Sequence, residues 1–148
     1  MVDSEITLQI ILVKPTPEVV FGLQKGSGNN YETVQKQIPT SNDLTFTFTV
    51  KVKGDRSKDK LPKFSGSFVQ GSADRFVYID IRTYAGQVGT VWSRRLKIPL
   101  TGITWKDIDL LTSNSMMQTI VPGTGKDGGP NCATVKPFDG WHLKNSKV

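Results

Sequence analysis

A chain of 148 residues with 36% hydrophobic and 22% charged residues has the make-up of one folded domain, which excludes a membrane bundle and a charged disordered tail. Folding at this length hides roughly two-thirds of the unfolded surface, enough for a core without covalent staples. The net charge of +6 permits attraction to phosphates, and the one cysteine, Cys132, excludes an internal disulfide framework and a multi-cysteine metal site.

The first segment reads MVDSEITLQIILVKP. Asp3 and Glu5 precede its apolar run, Thr7 and Gln9 interrupt it, and Lys14-Pro15 ends it. A secretory signal has a positive start and an unbroken apolar stretch, and a bilayer span needs about 20 apolar residues. The expectation is a cytoplasmic protein with no membrane partner. Within the same segment, Ile6, Leu8, Ile10 and Leu12 alternate against Ile11 and Val13, which predicts a strand over 5–13. Residues 19–24 and 31–37 flank the glycine-rich turn Lys25-Gly26-Ser27-Gly28-Asn29-Asn30, a hairpin with a long loop.

Residues 44–52, LTFTFTVKV, give the clearest signal. Leu44, Phe46, Phe48, Val50 and Val52 share one face, while Thr45, Thr47, Thr49 and Lys51 share the other. A two-residue period kept this long places one face on a core and the other in water. A helix would scatter the same side chains around its axis. Residues 51–63 then hold Lys51, Lys53, Arg56, Lys58, Lys60 and Lys63 against Asp55 and Asp59, a local charge of +4. This is either a phosphate-attracting arm or a solvated hairpin tip kept unpaired by its lysines. It has no interleaved aromatic to stack on bases, which speaks against nucleic acid.

Residues 64–70 and 75–84 flank Gly71-Ser72-Ala73-Asp74 and read as a second hairpin. In 75–84, Val77, Ile79 and Ile81 lie on one side, with Phe76, Tyr78 and Tyr84 on the other around Asp80 and Arg82. Both sides are too apolar for either to be simply wet. A central strand covered twice follows, with the core on one side and a helix, a loop or a second subunit on the other. Phe76, Tyr78 and Tyr84 are therefore candidates for a homodimer interface. A further strand is expected over 91–98. Thr104 with Asp107 three residues on forms a capping box, and Trp105, Ile108 and Leu111 follow at helical spacing, so a short helix is expected around 104–112. Residues 117–121 and 132–136 bracket the loop PGTGKDGGPN as two last strands. The fold class is nearly all-β: an antiparallel sandwich or flattened barrel with one short helix, in a single domain over 1–148.

Chemistry-bearing residues are few. Arg94 shares a strand side with Trp92, Leu96 and Ile98. A guanidinium on an apolar side must pair with an acid such as Asp80, reach water, or hold an anion. The loop with Gly125, Lys126 and Gly128 fails as a phosphate-binding P-loop. Ile120 stands where the first glycine belongs, and Asp127 stands where the metal-binding hydroxyl belongs. Its consecutive glycines can still present backbone amides to an anion, or simply serve a long β-connection. His142 is the only histidine, and no local motif joins it to Cys132 as a catalytic dyad. One His and one Cys do not make a metal site, and no cofactor is implied.

FGLQKG at 21–26, FVYIDIRTYAGQ at 76–87, WSRRLKIPLTGITW at 92–105 and VPGTGKDGGPNCATVKPFDGW at 121–141 resemble a small bacterial family without assigned function, domain-of-unknown-function family 5990. The resemblance covers nearly the whole chain and implies a single-domain protein. It supplies no activity, cofactor or catalytic residue. The functional expectation is a non-enzymatic β-module for a small or anionic ligand, with Trp92, Arg94, Gly125, Lys126 and Gly128 as contacts. Nucleic-acid binding through 51–63 and a homo-oligomeric interaction module are the alternatives.

Overall fold

The computed structural model describes residues 4–13, 19–26, 30–37, 43–71, 75–83, 94–112, 114–121 and 140–145. These residues hold nine strands and one helix: β1 (Ser4–Leu12), β2 (Val19–Lys25), β3 (Glu32–Gln37), β4 (Leu44–Lys53), β5 (Lys63–Ser65), β6 (Phe76–Thr83), β7 (Arg94–Pro99), α1 (Trp105–Leu110), β8 (Ser115–Val121) and β9 (His142–Asn145). One sheet has the order β5-β4-β1-β8-β9 and the other β3-β2-β6-β7. Neither closes into a barrel. The architecture is the expected nearly all-β sandwich, and its pairings are antiparallel except for β1 with β8, which run parallel.

Burial along β4 alternates without a break, with Leu44, Phe46, Phe48, Val50 and Val52 buried and the threonines and lysines between them exposed. β1 sets Ile6, Leu8 and Ile10 directly opposite Val50, Phe48 and Phe46. Phe21 and Leu23 of β2, Val77 and Ile79 of β6, and Leu96 and Ile98 of β7 meet them in one hydrophobic cluster. Each such side chain gains about 1.5–3 kcal/mol by leaving water. That is what holds the two sheets face to face.

The hairpin of β2 and β3 forms as expected, with its register shifted between Phe21 and Leu23. The expected hairpin of 64–70 with 75–84 does not form. β5 pairs with β4 in the first sheet, β6 joins the second, and among the described residues the two segments share only an isolated bridge between Gln70 and Phe76. Phe64 is buried opposite Val52, and the Phe68 ring lies 5.4 Å from that of Phe48. Those aromatics draw the segment onto the first sheet, and a turn closed by Val69 N donating to Gly66 O at 3.2 Å interrupts it. Ser72, Ala73 and Asp74 of the expected turn lie outside the described residues. The expected strand over 132–136 falls outside the described residues.

Side chains pin both flanks of the sandwich. Among the described residues β5 covers only Lys51–Lys53 of β4, and no described strand pairs with the Leu44–Phe48 stretch on that edge. Gln35 of β3 donates to Thr47 O at 2.8 Å and accepts from Thr47 N at 3.3 Å, and Gln37 donates to Thr45 O at 2.9 Å. These amides act as a surrogate strand between the sheets. On the opposite flank, buried Trp141 donates its indole N–H to Pro99 O at 2.8 Å. The capping box of α1 forms as expected: Thr104 Oγ1 accepts from Asp107 N at 3.2 Å, and Asp107 Oδ2 accepts from Thr104 N at 2.8 Å.

Candidate functional site

Alternation in β6 sends Val77 and Ile79 into the core and puts Phe76, Tyr78 and Asp80 on the outer side of the second sheet. Asp80 is 0% exposed there. The cover expected over this strand is thus provided, at Asp80, by the chain itself. A buried carboxylate requires hydrogen-bond donors. One is Thr33, whose Oγ1 donates to Asp80 Oδ2 at 3.0 Å.

Thr33 belongs to β3 and Asp80 to β6, with β2 running between them. The bond therefore spans a whole strand. Gly22 of β2, directly opposite Asp80, makes this crossing possible, because a Cβ there would collide with Thr33 Cγ2. A lone glycine inside a strand marks such a close approach.

Gln24 lies two residues along β2, hence on the same side as Gly22, and opposite Thr33. It is 2% exposed. Its Nε2 makes a long 3.5 Å bond to Gly26 O, which also accepts from Gln70 Nε2 at 2.5 Å. Its carbonyl, Oε1, is buried with no hydrogen-bond partner. Leaving such a group unmatched costs about 1–3 kcal/mol. Beside this polar group, the rings of Phe76 and Tyr78 stand 4.9 Å apart at 59°, and Lys97 Nζ sits 4.2 Å from the centre of the Phe76 ring.

Of the residues singled out from sequence, Phe76 and Tyr78 lie on this face. Tyr84, Trp92, Gly125, Lys126 and Gly128 lie outside the described residues. Arg94 opens β7 opposite Ile81, while Arg95 stands opposite Asp80, so the register does not set up a direct cross-strand pair between Arg94 and Asp80. His142 is exposed on β9 opposite Gln118, and Cys132 lies outside the described residues. Among the described residues no three His, Cys, Asp or Glu side chains gather as a metal would require. No helix among them is long and apolar enough to cross a membrane.

Sequence reasoning missed Gln24, Thr33 and Gln70, which look like ordinary polar residues of strands and turns. The signal that could have found them is the glycine in VVFGLQ. Acceptors converging beside an aromatic pair, under cover, are a common composition for a small-molecule site.

Comparison with known proteins matches residues 6–144 to the model of a family described as Family of unknown function (DUF5990). No curated protein and no solved structure gives a significant match.

Proposed function

We propose, from the premise that this chain belongs to the DUF5990 family of unknown function, that it is a non-enzymatic module binding a small polar ligand on the outer side of its second sheet. The observation that carries this reading is the Gln24 carbonyl, buried and unmatched beside Asp80. A ligand that offers an N–H or O–H to that oxygen recovers the hydrogen bond that the protein alone forgoes. The aromatic pair of Phe76 and Tyr78 supplies an apolar wall for the rest of such a molecule.

The sequence alone points to a small or anionic ligand held by Trp92, Arg94, Gly125, Lys126 and Gly128. The described polar atoms shift the weight toward a donor-bearing ligand such as an amine, an amidine or a polyol. A thermal-shift screen over amines, sugars, carboxylates and phosphates tests this, since a ligand of the folded state alone raises its stability. The expected result is a stabilising amine or polyol whose effect disappears in Gln24→Leu while that variant stays folded. A screen without stabilising amines or polyols, together with a Gln24→Leu protein more stable than the parent, makes Gln24 a structural defect and removes the reading.

A further inference from the structure

The basic segment 51–63 does not extend as a free arm. It forms the β4–β5 hairpin, whose tip rests on α1. Trp105 of the helix donates its indole N–H to Asp59 O at 2.9 Å. Arg56 lies 4.9 Å from the centre of the Trp105 ring and pairs with Asp109 at the far end of the helix. Gly54, at φ +111, turns the chain here, and a Cβ on it would sit 3.3 Å from the same indole. The tip and the helix thus form one platform.

Every acid on that platform is engaged within it. Asp55 Oδ1 accepts from Ser57 N at 2.9 Å and from Ser57 Oγ at 2.7 Å. Asp59 accepts from Asp55 N at 2.7 Å and lies 3.7 Å from Lys63 Nζ. Asp107 caps the helix, and Asp109 holds Arg56. Lys58, Lys60 and Lys106 remain exposed, with no ion pair among the described residues. Two aliphatic side chains flank them: Leu61 is 39% exposed, and Leu110, next to Asp109, is 53% exposed.

We propose that this platform docks on an anionic lipid surface, with Lys58, Lys60 and Lys106 against the headgroups and Leu61 and Leu110 entering the interface. Charge complementarity argues for a polyanion, since each acid already has a partner on the platform while three exposed lysines have no acid opposite them among the described residues. The leucines choose among polyanions. Two leucines beside the lysines suit an apolar interior beneath the headgroups, and the platform's indole is already occupied by Arg56 instead of being open to stack on a base. A membrane interface rewards both features. This is peripheral contact, independent of the ligand reading above.

Vesicle co-sedimentation of the full chain tests the proposal, with phosphatidylcholine alone compared with a mixture containing roughly 30% phosphatidylglycerol. The expected result is binding to the anionic vesicles only, falling at least tenfold between about 0.05 M and about 0.5 M salt. Lys58→Glu with Lys60→Glu should weaken it at least tenfold. Leu61→Ser with Leu110→Ser, which leaves the charge unchanged, should weaken it at least threefold. All four positions are exposed, so circular dichroism of each variant should match the parent. No binding to anionic vesicles at low salt overturns the proposal. So does a serine variant that binds as the parent does, or tighter binding to a short DNA duplex than to the vesicles.

Discussion

β4 and β6 are both interior strands, and each sends alternate side chains into the same core. They differ on their other sides. β4 offers Thr45, Thr47 and Thr49 to water, whereas β6 offers Asp80 to a covered space. Water completes the hydrogen bonds of an exposed threonine at almost no cost. A carboxylate under cover must find its donors in the protein, and finding one required a glycine in β2 and a threonine two strands away. Polarity therefore means different things on these two strands: on β4 it marks the wet side, and on β6, at Asp80, it marks an internal arrangement with exacting geometry.

The largest expected effect tests the inner side of β4. Phe46 is fully buried, so Phe46→Ala should cost about 3–5 kcal/mol, read as a lower urea midpoint with an unchanged slope. Thr49→Ala, three residues along and on the outer side, should stay within about 0.5 kcal/mol. A threonine variant nearly as damaging as the phenylalanine one would mean that the outer side of β4 is covered after all.

The next test addresses β6. Gly22→Ala should cost about 1–3 kcal/mol, because the added methyl meets Thr33 Cγ2. Thr33→Ser removes that methyl yet keeps the hydroxyl that reaches Asp80. The pair Gly22→Ala with Thr33→Ser should thus be less damaged than the sum of the singles, with a coupling of at least about 1 kcal/mol. Strict additivity would show that the glycine serves something other than the crossing to Asp80.

A third and smaller effect concerns the amide bridge between the sheets. Gln35 holds the edge of β4 through two bonds to Thr47 while its backbone sits at φ 54, a region that favours glycine. Gln35→Ala loses the bonds and keeps the strain, so about 1 kcal/mol of stability should go. Gln35→Gly loses the same bonds but relieves the backbone, and should lose less. If glycine proves the worse of the two, the bridge is not what fixes this conformation.

These residues also show how far the sequence could be read. The alternation in LTFTFTVKV depends on local spacing alone, so β4 and its two faces were legible residue by residue. The helix was equally legible, because Thr104 and Asp107 form their capping box within four residues. The partners of each strand were not. Gly71-Ser72-Ala73-Asp74 has the chemistry of a hairpin turn, but whether Phe64 and Phe68 go to β4 or to β6 is decided by distant aromatics. Phe76 and Tyr78 were legible as an unusual apolar side, while Gln24 and Thr33 acquire their meaning from pairing with strands far along the chain. What depends on period was readable, and what depends on strand order was not.

The smallest expected effect lies at the hairpin tip, where the comparison reaches its solvent-exposed limit. Hydrogen bonds from the Ser57 hydroxyl and then from the Ser57 backbone hold the Asp55 carboxyl below its usual value, opposed by slight burial. A carboxylate whose folded value is depressed adds stability that is fully present above its unfolded value and is lost as pH falls through the folded one. The parent should therefore exceed Asp55→Asn in urea midpoint at about pH 6, and that margin should shrink on acidification toward about pH 3. Added salt should leave the margin nearly unchanged, because adjacent hydrogen bonds hold the carboxylate instead of a distant charge. A margin that does not change with pH would mean that the turn is held by the shape of the Asp55 side chain and not by its charge. The tip would then resemble β4, where an exposed polar group can be exchanged at little cost, and not β6, where it cannot.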